Sequence, residues 1–372
     1  MSVARKPPQR GSRWKVPKVH EDYFFVIGVT RILRNKLARR PSSGFAYAFG
    51  WNCYYQKILG ICWMENEGPV ARQRAWALTL LIFVSIWLPG AASLAILWDD
   101  LNSSINCLST NMPIAVSMAK IIVLQFTGSI LGKIVEDWAR VETKEEYKTM
   151  LEMARISRFI SVLSVSLTNM MFLFFLVNFI IFFYNEPNGD SAIDNRLAYG
   201  LLHDSYFPFD TTKLTIFVPL WIGQFFGSLL GMISYAGPDC LVSMMVLHLC
   251  GQLRIVRHSL KSLVNDTTLR EPEKYWQKIA DIVKLSLKLK DTFSSILLVQ
   301  MVSCSITFCF QCYAMFTVSK IRQYFQTLMD RNGAPFPILE LTFSVLYAIY
   351  TIIHLFIYCY VGDRLFVEVS DF

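Results

Sequence analysis

The chain has 372 residues, 53% of them hydrophobic, 14% aromatic and only 17% charged, with 36 Lys and Arg against 28 Asp and Glu; its mean hydropathy is +0.38. So apolar a composition excludes an ordinary soluble domain and points to an integral membrane protein. The net charge of +8 matters through its placement about the membrane, and without a basic-aromatic module it does not suggest nucleic-acid binding.

Residues 1–75 carry fourteen Lys and Arg against four Asp and Glu. The early apolar run at 23–29 is too short, and lies too far in, for a secretory signal. The segment is therefore expected in the cytosol. Within it, the stretch 54–63, opening Tyr54-Tyr55-Gln56, has the character of a short amphipathic helix on the membrane surface, with a solvent loop as the alternative. Six apolar runs follow, near 76–98, 112–132, 159–184, 214–235, 293–318 and 338–361, each long enough to cross a hydrocarbon core of about 30 Å. Backbone groups in lipid must be satisfied internally, so the spans are helices. The predicted fold is an all-α polytopic bundle over 76–361, with 362–372 as a short C-terminal end.

Basic residues orient the bundle. The connections 133–158 and 251–292 hold six and nine Lys and Arg, whereas 99–111, 185–212 and 319–337 hold none, one and three. Cytosolic connections carry the excess of basic residues, so the N-terminus, 133–158, 251–292 and the C-terminal end are expected inside. Asn102-Ser103-Ser104 then falls in an outer connection, making Asn102 a candidate glycosylation site, while Asn265-Asp266-Thr267 falls inside and should stay unmodified.

The nine cysteines form no disulfide framework. Cys309 and Cys312 have the C-x-x-C spacing of metal and redox sites, but they sit in an apolar span without a second ligand pair; packing is the reading, and no metal is predicted. There is no phosphate-cradling glycine loop, no H-E-x-x-H and no G-x-S-x-G. His203, His248, His258 and His354 are scattered over different segments. No enzyme and no cofactor is implied.

What the spans carry is packing information and room for an apolar guest. Gly223, Gly227 and Gly231 recur every four residues and leave a bare stripe on the fourth span where a neighbour can approach; Gly128 and Gly132 do the same on the second. Aromatic residues with isolated polar groups cluster in the outer halves of the third, fourth and sixth spans. A cavity of that composition is the usual form of a small-molecule site. By their depth in the spans, Met118, Phe174, Asn178, Trp221, Phe225, Tyr347 and Tyr350 are the candidate ligand-binding residues. Lys120, costly if it faces lipid, is expected either to snorkel outward or to line a wet cavity. In 237–254 apolar residues recur at helical spacing around Asp239, His248, Gln252 and Arg254, as in a helix leaving the membrane; His248 and Gln252, four apart, share a face.

These pieces together resemble the insect odorant receptor family. The likeness is carried by Leu59-Gly60-Ile61-Cys62-Trp63 ahead of the first span, and by Glu136-Asp137-Trp138 with Met153-Ala154 and Arg158 in the first long inner connection. It continues in Tyr206-Phe207-Pro208-Phe209-Asp210, in the Asp239, His248, Gln252 run, and in Phe356-Ile357-Tyr358-Cys359 with Gly362 and Leu365. The resemblance implies a seven-helix subunit with a cytosolic N-terminus. Such a subunit binds a small volatile odorant in the outer half of the bundle and gates a non-selective cation channel in the plasma membrane of sensory neurons. Its implied partners are membrane lipid and a co-receptor subunit, in a hetero-oligomer that is a tetramer in the family. It also implies that Asp239, His248 and Gln252 belong to an inner, subunit-anchoring region. Six spans are visible of the family's seven, because the family's pore-lining helix follows the part matching 358–370. The sequence as given would not contribute the usual pore lining, so a non-conducting receptor chain or a gustatory-type relative stays open. A secondary transporter is a more distant alternative; it should show two related halves, and no such repeat is visible.

Overall fold

The computed structural model describes residues 43–60, 68–124, 128–141, 143–185, 201–203, 205–211, 213–265, 272–328 and 336–371. Among them the chain is helical apart from short turns and the 201–211 segment. The helices are α1 (Ser43–Ile58), α2 (Gly68–Ile82), a π-helical turn (Phe83–Trp87), α3 (Leu88–Ile96), α4 (Leu101–Leu124), α5 (Gly128–Ala139), α6 (Lys144–Asn185), α7 (Leu214–Asn265), α8 (Pro272–Leu328) and α9 (Phe336–Ser370). Among the described residues six stretches are long and apolar enough to cross a membrane: Arg72–Ile96, Ser103–Leu124, Lys144–Ile181, Leu214–Lys261, Trp276–Thr317 and Leu341–Ser370. This is a multi-pass, all-α membrane protein.

The second span lies further toward the N-terminus than its hydropathy suggests. Helix α4 begins at Leu101 and ends at Leu124, and Gly128 already opens α5. The polar residues between Asn102 and Asn111 are uncharged and helix-compatible, so what reads as a connection is the first part of a span. Asn102 thus lies in the first turn of α4.

Four described helices exceed a bilayer: α6, α7, α8 and α9 have 42, 52, 57 and 35 residues, and at about 1.5 Å per residue α7 alone is roughly 78 Å long. Their charged ends form a second, extramembrane layer held by ion pairs: Lys133 to Asp281 at 3.1 Å, Lys278 to Glu146 at 3.3 Å, and Arg257 to Glu368 at 3.2 Å and Asp371 at 2.8 Å. Arg254 also binds Glu368, through Nε at 2.9 Å. Most of the described basic residues in 133–158 and 251–292 therefore lie on helices.

Helix α1 overlaps the stretch expected at the membrane surface and packs into the bundle. Phe49, Asn52, Gln56 and Leu59 are buried. Asn52 and Gln56 donate to the Cys240 and Gly237 carbonyls of α7 at 3.4 and 3.0 Å, and Ser161 of α6 donates to Asn52 Oδ1 at 3.3 Å. These bonds flank Pro238, which removes one donor from the α7 ladder and loosens the backbone there. The chain leaves α1 through Gly60 at φ 71°, a left-handed conformation that glycine adopts without strain.

The glycine stripe of α7 divides into two roles. A Cβ on Gly227 would lie 2.5 Å from Ser85 Oγ and 3.0 Å from Ile86 Cδ1, so the π-helical turn is seated directly on that bare backbone. Gly223 is in looser contact with Ser85 at 3.8 Å, and nothing lies within 4 Å of a Cβ at Gly231. The first part of the stripe packs and the last opens a space.

Candidate ligand-binding site

That space is a cavity of about 300 Å³ between α4, α6, α7, α8 and α9. Helix α4 contributes Asn106, Ser109, Thr110, Pro113, Ile114 and Ser117; α6 contributes Met171, Phe172 and Phe175. Ser228, Gly231, Met232 and Tyr235 line it from α7, Gln311 and Ala314 from α8, and Phe343, Ser344, Tyr347 and Tyr350 from α9. His203 completes it from the 201–211 segment. Among the described residues, no Asp, Glu, Lys or Arg is in the lining.

The 201–211 segment is held over α7 by a buried polar clamp. Gln224, 0% exposed, accepts from the His203 backbone N–H at 3.1 Å and donates to Ser205 Oγ at 2.7 Å. Ser205 in turn donates to the His203 carbonyl at 2.9 Å. The ring of His203 meets Ser228 Oγ at 2.7 Å and stacks on Phe175 with centroids 5.3 Å apart. Burial holds this imidazole down to about 4, because removing it from water disfavours the charged form. At neutral pH the cavity therefore carries polar groups and no net charge.

Tyr347 and Tyr350, named from the sequence, lie on the cavity; the other candidates lie behind or beside it. Phe225 packs on the lining ring of Phe172 at 6.1 Å, and Trp221 stacks on Phe225 at 5.7 Å and against Leu201 and Phe207. Phe174 stacks on Phe343 at 6.2 Å, while its neighbour Phe175 takes the cavity position. Met118 is buried in the main core, and Asn178 sits about one turn beyond the lining residues of α6. Among the groups not foreseen, Asn106, Ser109 and Thr110 on α4 lay in what read as a connection; their signal was polar residues three and four apart leading into an apolar run.

Residues 100–372 match the family described as 7tm Odorant receptor. The chain belongs to the odorant receptor family. Its fold is similar to the insect olfactory receptor OR5 from Machilis hrabei, with a TM-score of 0.61 at 12% identity over 87% of this chain and 82% of that one. The same receptor in complex with eugenol matches with a TM-score of 0.58 at 14% identity, over 85% and 80%. No curated protein matches the sequence significantly. The family is one of non-enzymatic receptors.

One helical turn beyond the cavity, the receptor buries a charge cluster. Lys120, 1% exposed, neither snorkels nor faces the cavity: its Nζ lies 2.6 Å from Asp239 Oδ1 and 3.2 Å from the Tyr235 carbonyl, and 4.5 Å from the centroid of the Tyr235 ring. The other Asp239 oxygen is 3.8 Å from His354 Nδ1, and His354 Nε2 is 3.4 Å from Ser164 Oγ. Asp239, His248 and Gln252 are all buried, and the latter two meet Asp137 at 3.1 Å and Met150 Sδ at 3.5 Å. Among the described residues their partners lie on α4, α5, α6 and α9 of the same chain.

Proposed function

We propose that this receptor binds a small, uncharged, volatile odorant in the cavity between α4 and α9, and thereby gates a non-selective cation channel formed with a co-receptor subunit. The observation that carries this reading is an apolar, aromatic cavity of about 300 Å³ with no ionic side chain among the described residues of its lining, the usual composition of a small-molecule site. The similar OR5 structure in complex with eugenol supports a small organic guest. A guest shifts the channel only by binding the open arrangement more tightly than the closed one.

The asymmetry of basic residues supports a cytosolic N-terminus in the plasma membrane of a sensory neuron. Family membership supports assembly as a tetramer with the co-receptor. Asp239, His248 and Gln252 would shape subunit contacts indirectly, through the helices whose positions they fix. The test is co-expression with a co-receptor subunit and recording of odorant-evoked cation current. A wild-type response that is absent in Gly231→Leu, which places a side chain in the cavity, is expected; an undiminished response in that variant would place the odorant elsewhere.

A further inference from the structure

Helix α8 carries two glutamines on one face. Gln300 and Gln311 are eleven positions (311 − 300) apart, three turns of the helix, so they point the same way. Gln300 donates through its Nε2 across the helix interface to the Tyr235 hydroxyl at 2.7 Å, although its Oε1 is buried with no partner among the described residues. Gln311 makes no such bond. It is 5% exposed, lines the cavity, and has no hydrogen-bond partner among the described residues. On the adjoining helix α9, Ser344 Oγ and the Tyr347 hydroxyl, three residues apart on one face, also line the cavity without a protein partner among the described residues. The other hydroxyls of the lining are engaged: Ser109 and Thr110 with the Asn106 carbonyl, Ser117 with Pro113, and Ser228 with Gln224. Unanswered hydrogen-bonding capacity thus lies on the α8–α9 wall, beside Phe172, Phe175 and Met171 of α6, with Phe175 packed on Phe343 of α9 at 6.3 Å; the Asn106 side chain on α4 also has no partner among the described residues, but it is exposed.

Taking the cavity as the odorant site, we infer that the wall formed by Gln311, Ser344 and Tyr347 selects ligands with an apolar or aromatic body and one neutral hydroxyl. Gln311 is the specificity-determining residue, because its amide supplies both a donor and an acceptor. A hydroxyl answers both at once; an ether or ester answers only the donor, and a hydrocarbon neither. Leaving such a buried group unanswered is costly, so a site of this kind discriminates against the analogue that lacks the hydroxyl more strongly than a purely apolar pocket can.

The experiment compares 2-phenylethanol with ethylbenzene, its twin without the hydroxyl, binding to the full chain in lipid nanodiscs. The ratio of their affinities is measured in wild type, Gln311→Met and Ser344→Ala; comparing ratios between variants cancels the difference in lipid partition. Gln311→Met should lower the preference for the alcohol about tenfold or more while leaving ethylbenzene affinity equal or higher, and the variant should be no less thermally stable than wild type. Ser344→Ala should lower the preference by a smaller factor. An unchanged ratio in both variants overturns the inference, as does loss of stability in Gln311→Met, which would make the amide a structural group. Gly231→Leu separates the two readings. If it abolishes binding of both compounds while Gln311→Met leaves the ratio intact, only the inference fails; if both compounds still bind it as they bind wild type, the cavity reading fails with it.

Discussion

Lys120 and Asp239 carry opposite charges into a region where water is scarce, and each is tolerable there only because of the other. Removing one member of such a pair leaves a charge unmatched and typically costs about 3 to 5 kcal/mol, whereas replacing both with apolar groups of similar volume is often neutral. Lys120→Met and Asp239→Asn should each lower the melting temperature of the purified receptor markedly, and Lys120→Met with Asp239→Leu should recover most of the loss. A double variant as unstable as the sum of the single ones would show that the pair is not a unit. His203 titrates by a different logic. Its imidazole is held near 4 in the folded chain against about 6.5 when unfolded, so between those values the unfolded state binds the extra proton. Stability is complete above about pH 6.5 and is lost progressively as pH falls toward 4. Ligand affinity should therefore be flat from pH 6.5 to 8, and His203→Gln should flatten the acid limb of the melting curve; an affinity that changes severalfold across pH 6.5 to 8 would contradict the neutral assignment.

At the scale of elements, the glycine stripe of α7 gives the sharpest contrast. Gly227 meets the π-helical turn, so Gly227→Leu should disrupt folding, seen as low yield and a lowered melting temperature. Gly231, four residues on, has open space, so Gly231→Leu should fold normally and lose ligand response. The two substitutions look alike on paper. Their spacing every four residues was legible in the sequence; which of them faces a neighbour and which a void was not, because that depends on where another helix bulges. The same limit applies to the aromatic candidates. A single step along a helix turns the side chain by about 100°, enough to exchange Phe174 for Phe175, and depth in the membrane says nothing about rotation. Tyr347 and Tyr350 escaped this because, three apart on α9, they share a face whichever way it turns. Gln311 was passed over since an isolated amide in a greasy run looks like a packing residue until its missing partner is seen.

For the molecule as a whole, the six apolar crossings were plain from length and composition, and their edges were not. Hydropathy marks where the chain is greasy, while helices here continue through polar residues at both ends, from Leu101 on one side to Asn265 on another. The resulting extramembrane layer is basic, which yields a prediction about orientation: a tag on the N-terminus should be reached by antibody only after permeabilisation, and Asn265 should carry no glycan. Sugar on Asn265 would invert the bundle. The layer also depends on Glu368, buried against Arg254 and Arg257. Glu368→Gln should loosen α9 from α7, visible as faster hydrogen exchange at the end of α9 with ligand affinity little changed. Finally, α8 runs from Pro272 to Gln311 with no internal proline, 39 residues (311 − 272) or about 58 Å. It is a stiff lever with a guest near one end. A tilt of only about 2° at the cavity would sweep the remote tip through about 2 Å, so a molecule of a few ångströms can be felt at a distance far larger than itself.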